Sequence, residues 1–364
     1  MKKFMQILLI ILILIIFIPV ILLLMISPGK PAPFLDNDGK PLPNSLSEKT
    51  FVTINGSRQG MFIKSKNLSN PVLLYVHGGI PDYFLTQPYP TGMEEYFTVV
   101  WYEMRGMGIS FDPNIDKESM TTDLLVSDVL EVTKYLRERF HQEKIYLMGH
   151  SGGTFYAVQA VNRAPENYHA YIGIAQITNQ LKSEMLAYDY MLSEFKKNGN
   201  AKMVAEMEKA AITPDSIPLP ASYAAMRDPG MHTLGIGTIH GMDSIVTGLL
   251  LPSFMFREYT IGEKINLWRG KVAYGNTTFN AQLATDITKE VPEVKIPVYF
   301  FHGIYDYTVN YNLARDYFNA LKAPMKGFYT FEKSAHSPLF EEPEKMGQII
   351  KEDVLKGKVD LADE

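Results

Sequence analysis

Strand-like and helix-like patterns alternate along most of these 364 residues. That alternation predicts an α/β fold with a mostly parallel, eight-stranded-type sheet flanked by helices. Three observations carry the prediction. Short apolar runs recur at 72–76, 98–102, 145–148, 171–175, 298–301 and 327–331. Helical spacing falls between them, as at 123–140, where Leu124, Leu125, Val129, Val132 and Leu136 share a face. The alternation stops between about 178 and 290, a helical stretch containing Met185, Met191, Met203 and Met207. The expected division is therefore a membrane anchor (1–26), a linker (27–50), a core (51–177), an inserted helical cap (178–290) and the rest of the core (291–364).

The first element is the most apolar. Residues 4–26 are apolar except for Gln6 and Pro19. As a helix they would extend ~35 Å at ~1.5 Å per residue, enough for the hydrocarbon core of a bilayer. Lys2 and Lys3 precede the run. The positive-inside rule then predicts a single-pass N-terminal transmembrane helix, a cytoplasmic N-terminus and an extracytoplasmic main domain, with the lipid bilayer as a partner. A cleaved signal peptide would have a shorter apolar core, of about 7–15 residues, and small residues at the cut. Met25-Ile26-Ser27-Pro28-Gly29 lacks them. Pro28, Pro31, Pro33, Pro41 and Pro43 make the next segment an extended spacer.

Residues 51–64 alternate around Asn55-Gly56, as a hairpin does. The run at 72–76 then enters His77-Gly78-Gly79-Ile80-Pro81, a loop whose backbone N–H groups are left uncovered. The run at 145–148 enters Gly149-His150-Ser151-Gly152-Gly153, followed by a helical stretch at 154–163. This is G-x-S-x-G at a strand-to-helix turn, which holds a serine hydroxyl in the open beside a base. Small residues are needed there because the backbone is crowded.

Partners for that serine follow in the later strands. The run at 296–301 leads through His302-Gly303-Ile304-Tyr305 to Asp306, and the run at 327–331 leads to Ser334-Ala335-His336-Ser337-Pro338. Loops after neighbouring parallel strands converge at one end of a sheet. Ser151 as nucleophile, His336 as general base and Asp306 as the group orienting the imidazole make a chemically complete set. The N–H groups of Gly79 and Gly152 are the expected oxyanion hole, with Ile80 as the alternative to Gly79. The other histidines fit less well: His302 lies in a strand pattern, His141 closes a helix, and His232 and His240 fall in the insertion.

At this point the chain resembles the alpha/beta hydrolases of prolyl iminopeptidase type. His77-Gly78-Gly79-Ile80-Pro81 is similar to the H-G-G-P-G of that family, and Glu103-Met104-Arg105-Gly106-Met107-Gly108-Ile109-Ser110 to its D-Q-R-G-x-G-x-S. The stretch with Thr121, Thr122 and Asp128 is similar to a third family segment. The resemblance implies a serine hydrolase with the triad in the order Ser, Asp, His, acting as an aminopeptidase on small peptides or amides. A carboxylic ester hydrolase would use the same triad, and a non-catalytic binding protein is the third reading. Some members bind the amino group of the substrate with glutamates, one directly after the catalytic Asp; Tyr307 stands there. Glu184, Glu206, Glu258 and Glu263 are the carboxylates of the insertion that could replace it, Glu184 foremost because it lies just beyond the sixth strand.

Composition narrows the rest. A net charge of −5 lacks the basic footprint of a nucleic-acid binder. The absence of cysteine excludes disulfides, a thiol nucleophile and thiolate metal sites. The scattered histidines lack H-E-x-x-H spacing, so neither a metal nor another cofactor is expected.

Overall fold

The computed structural model describes residues 2–209 and 211–363, apart from the side chains at 2, 3, 8, 11–14, 16 and 19. Its frame is an eight-stranded sheet: β1 (Leu46–Ile54), β2 (Ser57–Ser65), β3 (Val72–Val76), β4 (Thr98–Glu103), β5 (Ile145–His150), β6 (Tyr168–Ile174), β7 (Val298–Gly303) and β8 (Lys326–Phe331). The strand order is β1-β2-β4-β3-β5-β6-β7-β8. The β1–β2 hairpin turns at Asn55-Gly56, and β2 joins β4 antiparallel; every later pairing is parallel.

Side chains alternate across each strand, so both faces of the sheet must be covered. Val72, Leu74 and Val76 belong to one apolar cluster, whereas Leu73 and Tyr75 belong to the other. Helices α2 (Thr122–Phe140) and α3 (Gly152–Arg163) pack on the first face through Val129, Val132, Leu136, Phe155 and Val158. The N-terminus of α2 is fixed by Thr121, whose Oγ1 accepts the Leu124 N–H at 3.2 Å.

Between β6 and β7 runs a helical insertion: α4 (Gln180–Lys197), α5 (Ala201–Glu208), α6 (Ala221–Thr233), α7 (Leu251–Met255), α8 (Ile261–Ala284) and α9 (Ile287–Glu290). Met191, Phe195, Met207 and Tyr223 give part of it a core of its own. The chain then returns to the sheet with α10 (Tyr311–Ala320), α11 (Pro338–Glu341) and α12 (Pro343–Glu352).

Two N-terminal expectations change. Residues Lys2–Met25 are helical, but among the described residues no helix is long and apolar enough to cross a membrane. The anchor expected over residues 4–26 is thus overturned. The lipid bilayer partner and the single-pass, extracytoplasmic placement fall with it. The segment after it is not a free spacer. Gly29 donates to Arg257 O at 3.2 Å and Ala32 to Glu258 Oε1 at 3.0 Å. Lys64 Nζ, 2.9 Å from Glu258 Oε1, also donates to Ala32 O. Backbone polar groups that sequence leaves open are thereby satisfied by the body of the molecule.

Candidate active site

Ser151 stands between β5 and α3 with φ 53° and ψ −127°. A positive φ on a residue with a Cβ is strained, and the surrounding packing enforces it. Three close approaches explain the glycines. A Cβ at Gly153 would come within 2.0 Å of Val76 O, and one at Gly149 within 2.7 Å of Thr154 Cα. A Cβ at Gly78 would lie 2.7 Å from Ser151 Cβ and 3.0 Å from its Oγ. The loop after β3 therefore touches the serine only because it is glycine.

That loop is itself held. His77, fully buried, receives the Met104 N–H on Nε2 at 3.0 Å, so the ring proton sits on Nδ1 and reaches Gly78 O at 2.8 Å. Burial pushes the ring down to about 4, which keeps it neutral at working pH. With the Gly78 carbonyl tied back, the N–H of Gly79 points the opposite way across a trans peptide. Among the described residues no hydrogen bond takes up the N–H of Gly79, Ile80 or Gly152. Gly79 faces open space, since a Cβ there would meet nothing within 4 Å.

Asp306 follows β7 and His336 follows β8. His336 Nδ1 lies 2.8 Å from Asp306 Oδ2, and both side chains are buried. Asp306 Oδ1 accepts the Val309 N–H at 2.9 Å. A second ring shares the carboxylate, because His302 Nε2 is 3.2 Å from Oδ2 and 2.9 Å from Val309 O. Burial alone would raise Asp306, but His336 and His302 outweigh it and hold the carboxyl well below the usual carboxylate range. His336 moves below its ordinary value, because burial outweighs the attraction of Asp306. The site thus holds an ionised carboxylate against a neutral imidazole, the pair a general base requires. Among the described residues Ser151 Oγ makes no hydrogen bond, and its side chain does not cap α3.

The carboxylate put forward for an amino group is already engaged. Glu184, fully buried, faces Arg227 in a two-pronged ion pair, Nε–Oε2 2.7 Å and Nη2–Oε1 2.6 Å. Gln180 donates to Oε1 at 2.8 Å and Tyr223 to Oε2 at 3.1 Å. Its four acceptor positions are filled, so an ammonium finds none open. Glu258 is bonded to Lys64 and Tyr83, and Glu263 to Lys49. Glu206 pairs with Lys209 on an exposed helix.

Three residues passed over in the sequence belong to this neighbourhood. His150, the variable residue of the serine motif, contacts Asp82 and the His336 backbone. Glu341 accepts the N–H groups of Ala335 (3.0 Å) and Ser337 (3.1 Å), on either side of His336. It also takes the His240 N–H of the insertion at 2.6 Å. A histidine beside Ser151 and carboxylates at Asp82 and Glu341 were the available signals; spacing alone does not show that they meet. The motif residue Arg105 proves structural: it grips Asp128 through Nε–Oδ2 at 2.7 Å and Nη2–Oδ1 at 2.8 Å.

Fold and site together define a hydrolase of the serine type. The chain matches the family described as alpha/beta hydrolase fold over residues 71–343, and it belongs to that family. It is 28% identical over 307 residues to the probable aminopeptidase YbaC of Bacillus subtilis, covering 83% of this chain and 95% of that one. It is 24% identical over 246 residues to the esterase EstD of Thermotoga maritima, covering 61% and 54%. A proline iminopeptidase-related protein of Thermus thermophilus shares the fold with a TM-score of 0.58, at 20% identity over 84% of this chain and 96% of that one.

Proposed function

We propose that this chain cleaves a peptide or ester bond of a small substrate by acyl transfer through Ser151. The observation that carries the reading is the buried His336–Asp306 contact of 2.8 Å at the same sheet end as the strained serine. His336 takes the proton of Ser151 Oγ as the hydroxyl attacks the carbonyl carbon, and later gives it to the leaving group. Asp306 keeps the ring oriented and stabilises its transient cation. The N–H groups of Gly152 and of Gly79, or Ile80 in its place, receive the oxyanion; one such donor is typically worth ~2.7–4 kcal/mol. The insertion, residues 178–290, serves as the cap over this site. Its segment at 236–237 already bonds to the core, through Tyr307 N–Ile236 O at 3.4 Å and His336 N–Gly237 O at 3.3 Å.

Likeness to YbaC supports a peptide substrate. A second reading, an ester without a free amino group, draws on the closed Glu184–Arg227 pair and on Tyr307 beside Asp306. Labelling with a fluorophosphonate, with Ser151→Ala as control, tests the nucleophile. Ser151→Ala should also lower kcat on the order of 10⁶-fold while circular dichroism stays unchanged. A folded wild-type protein that takes no label would overturn the proposal. Aminoacyl arylamides set against short acyl esters separate the two substrates.

A further inference from the structure

His150 is buried, yet both of its ring nitrogens face oxygen atoms. Nε2 lies 3.0 Å from the carbonyl oxygen of His336, and Nδ1 lies 2.9 Å from Asp82 Oδ2. A carbonyl oxygen can only accept, so Nε2 carries a proton. An ionised carboxylate oxygen also only accepts, so a second proton must lie between Nδ1 and Oδ2. Tyr75 cannot supply it, because its hydroxyl already donates to the same Oδ2 at 2.6 Å. Asp82 Oδ1 is buried with no hydrogen-bond partner among the described residues, which leaves His150 and Tyr75 as the stabilisers of this carboxylate. The other titratable groups facing the pair are His77 at the end of β3, Tyr259 before α8, and His336, whose ring centre is 5.1 Å from that of His150.

The contacts join three loops. Asp82 lies on the loop after β3, His150 ends β5 beside the nucleophile, and His336 lies on the loop after β8. We propose that Asp82 and His150 form a second buried acid–base pair, an imidazolium on a carboxylate, that positions His336 through its carbonyl oxygen. The inference rests on the reading of His336 as the base of a serine hydrolase. His150 and Asp82 are positioning residues: they reach the reaction only through His336. The positive ring also disfavours a proton on His336, which keeps the base free between turnovers.

The test uses the full chain with ¹⁵N-labelled histidine, read by NMR and by ester turnover across roughly pH 4 to 8. Asp82→Asn keeps the shape, and its amide donates to Nδ1 without a titratable proton. Wild type should show both His150 nitrogens protonated near neutrality. Asp82→Asn should show an unprotonated Nδ1 and an acid limb moved to higher pH. Adding His150→Ala to Asp82→Asn, which leaves no buried charge behind, should lower kcat by about 10²-fold with KM unchanged. An unprotonated Nδ1 in wild type, identical pH profiles in wild type and Asp82→Asn, or an undiminished kcat in the double variant would each overturn the proposal. Wild type without any turnover would sink the hydrolase reading instead, and the NMR result would then decide the pair by itself.

Discussion

At the level of single residues, the site depends on moving two titratable groups apart. Asp306 is held ionised and His336 is held neutral, which in the proposed mechanism leaves the ring free to take the proton of Ser151. The sign of the pH effect follows. Since the His336 value is lowered, the neutral ring survives as pH falls, and turnover is lost only below the ordinary histidine range. The acid limb of kcat/KM should therefore have its midpoint below ~6.5. A midpoint above neutrality would show that burial does not govern this ring. Ser151, Asp306 and His336 were singled out because each lies on a loop that follows a strand pattern, and the fold brings Asp306 and His336 into contact. Asp82 and Glu341 were not, because carboxylates are common throughout a sequence and only the fold shows which ones turn inward.

Among the elements, strand ends and glycines set the positions of these side chains. Gly303 ends β7, and a Cβ there would lie 2.0 Å from Ala335 O and 2.3 Å from Ser334 O. Both contacts are to backbone, so nothing flexible can yield. Gly303→Ala should push the His336 loop away from Asp306, lowering kcat by about 10²-fold and stability by ~1–3 kcal/mol. Steady-state kinetics together with urea unfolding would check this; normal kcat would mean that the loop adapts freely. Strands β3 to β8 were readable from apolar runs, although β6 begins at Tyr168, three residues before the expected start at residue 171, whereas β1 begins at Leu46, inside the stretch expected to be linker. His169 is exposed and interrupts the run, so the apolar pattern understates a strand whose backbone pairing continues past it.

Across the molecule as a body, the insertion and the core are joined by polar contacts. Gln180 Nε2 and Arg227 Nη2 both reach Thr308 O, two residues past Asp306, at 2.9 and 3.5 Å. Arg227 is also the counter-charge of the fully buried Glu184. Removing it leaves a carboxylate without compensation, so Arg227→Ala should cost about 3–5 kcal/mol in equilibrium unfolding. Replacing Glu184 and Arg227 together by apolar residues should recover most of that loss. An Arg227→Ala protein as stable as wild type would mean that water reaches Glu184.

Local pattern was enough to establish the alternation of strands and helices and the strand-to-helix turn at Ser151. Those features depend on short-range periodicity and on residue types that few other settings require. The helical tendency of the first 25 residues was legible in the same way, but the expected bilayer anchor did not hold among the described residues. Which charges are spent on one another emerged from the folded chain alone. Glu184 is closed by an arginine 43 residues away, and His150 meets an aspartate 68 residues away. Burial makes such pairings obligatory, because a lone charge inside a protein is costly, but no local pattern announces the partner.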